Sequence, residues 1–142
     1  MPHTAAPPRY VLHPQLADDT HPVATLALSE MRLMDDANYP WLILVPRLPD
    51  ARELIDLSRE QRSLLTEEID IAARAIRDAF RPFKLNIAAL GNQVPQLHVH
   101  VIGRDQGDPA WPAPVWGRVA ARPYSPDLLV ERITRLQAVL PG

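Results

Sequence analysis

Gln96-Leu97-His98-Val99-His100-Val101-Ile102 alternates strictly between two kinds of side chain. Successive side chains of a strand point to opposite faces, so this stretch reads as a strand with two unlike surfaces. Leu97, Val99 and Val101 make an aliphatic face ready for burial against a core. Gln96, His98 and His100 make a polar face, with neighbouring imidazoles about 7 Å apart. That spacing lets both rings reach one small anionic group. Gly91-Asn92 just upstream is a turn signal. Lys84 to Leu90 before it reads as another strand, close enough in sequence to form an antiparallel hairpin.

Working outward, Val23 to Leu28 and Glu30 to Met34 read as strands, and Asp36 to Pro40 as a turn cluster. Trp41 to Val45 is a continuous apolar run closed by Pro46, the pattern of a buried strand. Ser58 and Gln61 are spaced as a capping box. Leu65, Ile69, Ala72, Ile76 and Phe80 then recur at helical spacing, and Pro82 ends the run; this predicts an amphipathic helix of about six turns. His13 to Thr20 predicts a short helix or turn. Residues 104 to 124 form a loop rich in Pro, Gly and Asp that carries Trp111 and Trp116. Ser125-Pro126 has the form of an N-cap with proline at the first helical position. Leu129, Ile133, Leu136 and Leu140 mark a C-terminal helix. Grouped strands with helices packed on one face predict an α+β domain.

The 142 residues suit a single domain, 1 to 142, with its own core. A net charge of −2 argues against broad binding to nucleic acid or to a membrane surface, yet leaves room for a local phosphate site. There is no cysteine, hence no disulfide and no thiolate metal site. Residues 1 to 9 read as a loose, Pro-rich segment, and Met1 to Pro8 show no signal-peptide pattern. No apolar run is long enough to span a membrane, so the default expectation is a cytoplasmic protein. The abundance of Pro (16 residues) and the near absence of Lys, with Lys84 alone, look genomic and carry no functional weight.

The polar face admits three readings. Two histidines on a strand are often simply satisfied by their neighbours, although Gln96 and the Gly-Asn turn extend this face beyond a bare pair. A metal site is the second reading, but Zn²⁺ requires at least three protein ligands, and the other histidines, His3, His13 and His21, all lie near the N-terminus. The third is covalent phosphoryl or nucleotidyl transfer. A neutral imidazole attacks phosphorus while neighbouring donors stabilise charge on the phosphate oxygens. His98 would be the nucleophile, flanked by Gln96 and His100, and the Gly91-Asn92-Gln93 turn would hold the phosphate.

Residues 90 to 104, Leu-Gly-Asn-Gln-Val-Pro-Gln-Leu-His-Val-His-Val-Ile-Gly-Arg, resemble the signature of the histidine triad (HIT) family. That signature alternates three histidines with apolar residues, often after a Gly-Asn-x-Val-Pro turn. The likeness covers about residues 22 to 104; the loop and helix of residues 105 to 142 match loosely. It implies a HIT-like α+β fold with an antiparallel sheet, one long helix and a C-terminal helix. It also implies a homodimer with one sheet continued across the interface. The implied chemistry is hydrolysis or transfer of a nucleoside monophosphate from dinucleoside polyphosphates, phosphoramidates or nucleotide conjugates, without a metal or other cofactor. By position, His98 corresponds to the nucleophile that carries the covalent nucleotidyl intermediate. His100 corresponds to the third histidine, which contacts the α-phosphate and the leaving group. Asn92 corresponds to the phosphate-binding amide, Asn86 to an asparagine near phosphate or ribose, and Asp35, with Asp36 as its rival, to the ribose-binding acid.

The chain departs from the pattern at two places. The first triad position holds Gln96, which hydrogen-bonds but exchanges no proton near neutral pH. One branch of the superfamily, the galactose-1-phosphate uridylyltransferases, has Gln on this face, but at the third position. Pro40-Trp41 also stands where many members have a histidine, and Trp41 reads as core. These departures support a second hypothesis, a nucleotide-binding or regulatory protein with weak or lost catalysis. A metal-binding or purely structural histidine pair is the third.

Overall fold

A computed structural model describes residues 9–142, so His3 and all but the last residue of the loose segment expected over residues 1 to 9 lie outside the described residues. The helix α1 (Pro14–Asp19) is followed by strands β1 (Thr20–Thr25), β2 (Ser29–Met34) and β3 (Trp41–Pro46). The long helix α2 (Arg59–Phe80), strands β4 (Lys84–Ala88) and β5 (Val99–Arg104), and the helix α3 (Pro126–Val139) complete the order. The strands form one five-stranded antiparallel sheet in the order β1-β2-β3-β5-β4. This is the expected α+β architecture. Among the described residues no helix is long and apolar enough to cross a membrane.

The capping box at α2 is formed as the sequence predicts. Ser58 Oγ accepts from the Gln61 amide at 3.2 Å, and Gln61 Oε1 accepts from the Ser58 amide at 2.8 Å. Both bonds satisfy amides that the first helical turn leaves open. The helix ends with Arg81 in the left-handed region (φ 49°), and Pro82 follows. Its inward face holds Leu65, Ala72, Ala75 and Ile76, together with a residue that apolar periodicity passes over, Glu68. Glu68 is buried because Oε2 accepts from the Leu28 amide at 2.7 Å, tying α2 to the turn between β1 and β2.

The sheet divides the molecule. Leu42, Leu44, Val99 and Val101 face α2 and α3 in a cluster with Leu65, Ala72, Ile76 and Leu136. Trp41, Ile43, Val45 and Ile102 face the other way, into a second cluster with Leu16, Tyr39, Val94, Ala110 and Val115, contributed by α1 and the connecting loops. Burying aliphatic side chains of this size stabilises a fold by roughly 1.5–3 kcal/mol each relative to exposure. Gly103 sits where β5 meets α2: a Cβ there would lie 2.7 Å from Pro40 Cγ and 3.0 Å from Ile76 Cγ2.

The structure corrects one expectation about β5. The strand begins at Val99, and Gln96 lies in a bend before it. The β3–β5 ladder runs from Trp41 opposite Ile102 to Leu44 opposite Val99. Two residues further, Leu97 would meet Pro46, which has no N–H to give. The Leu97 amide donates instead to the Ala51 carbonyl at 2.9 Å, and the chain turns away. Gln96 therefore does not extend the strand face of His98 and His100.

Candidate functional site

His98 and His100 lie on the loop-covered side of the sheet, only 6% and 3% exposed. Their ring centroids are 4.9 Å apart, edge to face. His98 sits just ahead of β5 and His100 within it, and the two rings lean together. The partners of each ring fix its tautomer. His98 Nδ1 is 2.7 Å from the Gln96 carbonyl. A carbonyl only accepts, so Nδ1 carries the proton and Nε2 keeps its lone pair. His100 Nδ1 accepts from the Trp41 indole N–H at 3.0 Å. Indole only donates, so the His100 proton is on Nε2, which donates to the Leu90 carbonyl at 3.2 Å.

Burial disfavours the charged form of both rings. It pulls His98 below the usual imidazole range, and the charge of nearby His13 acts in the same direction, while the bond to the Gln96 carbonyl opposes them. His100 is pulled down to about 4, first by burial and then by His98, against a smaller opposing effect of the Leu90 carbonyl. Both rings are therefore neutral near pH 7.

A cavity of about 460 Å³ opens over these rings, walled by Leu16, Asp19, Met34, Trp41, Asn92 and Trp116 among others. Trp116 packs edge-on against both His100 (5.0 Å between centroids) and Trp41 (5.7 Å). Trp111 lies elsewhere, against Phe83 and Arg104. Trp116 is thus the tryptophan that roofs the histidines. Gly91 backs onto His98: a Cβ there would lie 2.7 Å from the Val94 carbonyl oxygen and 3.5 Å from His98 Cε1.

The residues singled out in the sequence are distributed unevenly around this cavity. Asn92 and Gln93 line it and are exposed, with His98 and His100 beside them. Gln96 lines a second cavity that also touches His98, but its amide is engaged with the N-terminal segment. Its Oε1 accepts from the His13 amide and its Nε2 donates to the Val11 carbonyl, both at 2.9 Å. Asp35 and Asp36 line an adjoining cavity that shares Trp41 and Trp116 with the first. Asp36 is buried and accepts from the Asn38 and Arg122 amides. Asp35 accepts from the Tyr124 amide and lies 3.3 Å from His21 Nε2. The structure does not bring Asn86 to the histidines; its Oδ1 accepts from Arg104 at 2.8 Å.

That arginine is one of the residues the sequence reading missed. Arg104, 1% exposed, holds both oxygens of Asp108 (2.8 and 3.1 Å), Asn86 and the Ala113 carbonyl. Its guanidinium lies between the rings of Tyr39 and Trp111. It anchors the loop that delivers Trp116. The other missed contributors are Trp41, read as core, and the N-terminal strap. Tyr10 donates to Glu30 of β2, Val11 and His13 bind Gln96, and His13 Nδ1 accepts from the Gln15 amide to cap α1. The strap places Leu16 and Asp19 in the cavity wall. The signal for it was His13-Pro14, an N-cap followed by proline. Among the described residues no three His, Asp or Glu side chains gather as a metal-ligand set.

The family model of the HIT domain matches residues 16–107. A histidine triad protein from Bradyrhizobium japonicum is similar over 94% of this chain and 100% of its own, at 46% identity and a TM-score of 0.92. Another from Sinorhizobium meliloti is 43% identical over 92% of this chain and 97% of its own, with a TM-score of 0.90. A third, from Marinobacter aquaeolei, is 43% identical over 94% and 97%, with a TM-score of 0.91. No functionally curated protein matches the chain.

Proposed function

The chain belongs to the HIT domain family, and from that premise we propose that it is a nucleotide hydrolase or nucleotidyl transferase working through a covalent His98–nucleotidyl intermediate. The observation that carries this reading is the tautomer of His98. The Gln96 carbonyl holds the proton on Nδ1 and orients the ring, leaving the Nε2 lone pair for phosphorus. Burial keeps that lone pair unprotonated at neutral pH. Asn92, Gln93 and the backbone of their turn provide donors for phosphate oxygens. The aromatic wall of Trp41 and Trp116 suits a nucleoside base, and Asp35 in the adjoining cavity suits ribose hydroxyls. We read Gln96 as occupying the first triad position, where it acts through its carbonyl on His98 and through its amide on the strap.

The test is turnover of adenosine 5′-phosphoramidate and dinucleoside polyphosphates, with mass spectrometry for a nucleotidyl adduct on His98. His98→Ala should lower turnover by roughly a thousandfold or more, the scale seen when a nucleophile is removed. Full activity in that variant would sink the reading. A second reading, nucleotide binding with weak catalysis, is favoured by one observation: the Gln96 amide is occupied by Val11 and His13. A large gain in turnover on Gln96→His would support it; a loss would show that the glutamine belongs to a tuned site.

We also propose a homodimer built by continuing the sheet across β4. That strand ends the sheet, and its Ile87 is 51% exposed. Sedimentation as a single 15.9 kDa species would overturn this.

A further inference from the structure

His98 lines two cavities that run in different directions. The first leads over His100 to Trp41 and Trp116 and adjoins the cavity walled by Asp18, Asp35 and Asp36. The second, about 300 Å³, leads past Gln96 to the segment that follows β3, where Arg52 and Glu53 line it. Beyond Gln96 the groove continues between residues 11–14 and 49–52, with Arg9, His13 and Asp50 along it. The two directions differ in charge. Carboxylates dominate the first; they accept bonds from sugar hydroxyls and repel phosphate. In the second, Arg52 and Glu53 line the wall together with the Asn92 turn, and among the described residues no carboxylate lies within ion-pair distance of the Arg52 guanidinium.

The proton inventory points the same way. An amine leaving a phosphoramidate must be protonated as its P–N bond breaks, whereas a phosphate leaves as an anion and needs no proton. Gln96 is not an acid. The proton of His98 is held by a carbonyl, and both nitrogens of His100 are occupied by Trp41 and Leu90. No side chain of this triad-like group has a proton ready to give.

We propose that the cavity between His98 and Arg52 binds the phosphate chain of the leaving group, with Arg52 as its cation, so that the site prefers substrates that expel a phosphate anion. This rests on the nucleotidyl-transfer reading above. In the step, the Nε2 lone pair forms the N–P bond to the α-phosphorus and the P–O bond to the departing phosphate breaks. The electron pair stays on the departing oxygen, which faces Arg52. Water then cleaves the N–P bond, nucleoside monophosphate leaves, and one proton passes to solvent.

The experiment compares kcat and KM for diadenosine triphosphate and adenosine 5′-phosphoramidate in the full chain, in Arg52→Gln and in Glu53→Gln. It also measures binding of inorganic pyrophosphate by calorimetry. Arg52 is exposed, so its replacement spares the core. Arg52→Gln should cost about tenfold in kcat/KM for diadenosine triphosphate and in pyrophosphate affinity, the scale of one charged hydrogen bond. The loss should be several-fold smaller with the phosphoramidate. Glu53→Gln, which removes the carboxylate of that wall, should shift the preference further toward the triphosphate. Equal losses on both substrates, or pyrophosphate binding that ignores Arg52, would overturn the proposal. Arg52-dependent pyrophosphate binding without turnover of either substrate would sustain the subsite and sink the catalytic reading instead.

Discussion

The two faces of the sheet are built on different physics, although β3 and β5 contribute to both. On the helix side, Leu42, Leu44, Val99 and Val101 pack against α2 and α3 with no directional partner. On the loop side, the same strands present Trp41, His100 and Arg104, each held by specific bonds. Apolar packing is non-directional and tolerates exchange of similar volumes. The loop side has little regular structure of its own, so polar anchors must hold the residue 105–124 segment over the histidines. The helix side stabilises the sheet, and the loop side uses that stability to hold the two imidazoles in one geometry.

The contrast is broken most directly at Arg104. Arg104→Met removes the only cation bonded to Asp108, leaving that carboxylate its backbone amide donors from Asp105, Ala110 and Trp111, and it takes the guanidinium from Asn86 and the Ala113 carbonyl. Breaking such a pair costs about 3–5 kcal/mol. Arg104→Lys should recover little of it, because a lysine cannot span Asp108, Asn86 and Ala113 as the guanidinium fork does. On the other face, Leu44→Ala should cost about 2–5 kcal/mol through its cavity, yet Leu44→Met less than about 1.5 kcal/mol. Urea unfolding of the four variants measures this. If Arg104→Lys proves as mild as Leu44→Met, the two faces do not differ as claimed.

These differences also explain what could be read in advance. The helix side was legible because its signals are local: the Ser58–Gln61 box, the spacing of Leu65, Ala72 and Ile76, and the alternation of Val99 and Val101. The antiparallel pairing of β4 and β5 followed from their short connection. On the loop side, the positions of His98, His100 and the Asn92 turn were visible in one stretch of chain, and the structure brings them together. The orientation of Gln96 was not visible, since it depends on Pro46, Ala51 and residues 11–13, all distant in sequence. Asn86 was drawn from the histidines by Arg104, whose burial depends on Asp108, Tyr39 and Trp111. Trp41 looked like core because it is core; that its N–H also fixes a histidine is a fact of register, with Trp41 opposite Ile102 and Ile43 opposite His100. Trp116 could be placed only once the anchor of its loop was known.

Acid should weaken the loop side before the helix side. The His100 ring has a pKa of about 4 in the fold against 6.5 for an ordinary imidazole. Above pH 6.5 neither folded nor unfolded chain protonates it, and the fold keeps its full stability. Between 6.5 and about 4 the unfolded chain takes up the proton and the folded one resists, so stability falls with pH. The loss amounts to on the order of 3 kcal/mol when complete. His98, also lowered, contributes with the same sign. The gap in unfolding free energy between the native protein and His100→Asn should therefore narrow by that amount from pH 7 to pH 4. A gap independent of pH would show that His100 is not held neutral.

The smallest effect separates the two roles of Trp41. Trp41→Phe keeps most of the aromatic bulk in the cluster with Tyr39, Ile43 and Trp116 but removes the N–H bonded to His100 Nδ1. One hydrogen bond of this kind contributes about 1 kcal/mol, so unfolding at pH 7 should change little. The titration of His100, followed by NMR, should change more clearly. In the native protein a proton arriving at Nδ1 would meet the indole N–H head-on. In the variant that donor is gone, and the pKa should move up from about 4 toward 6.5. If Trp41 served packing alone, the titration would stay where it is while stability fell.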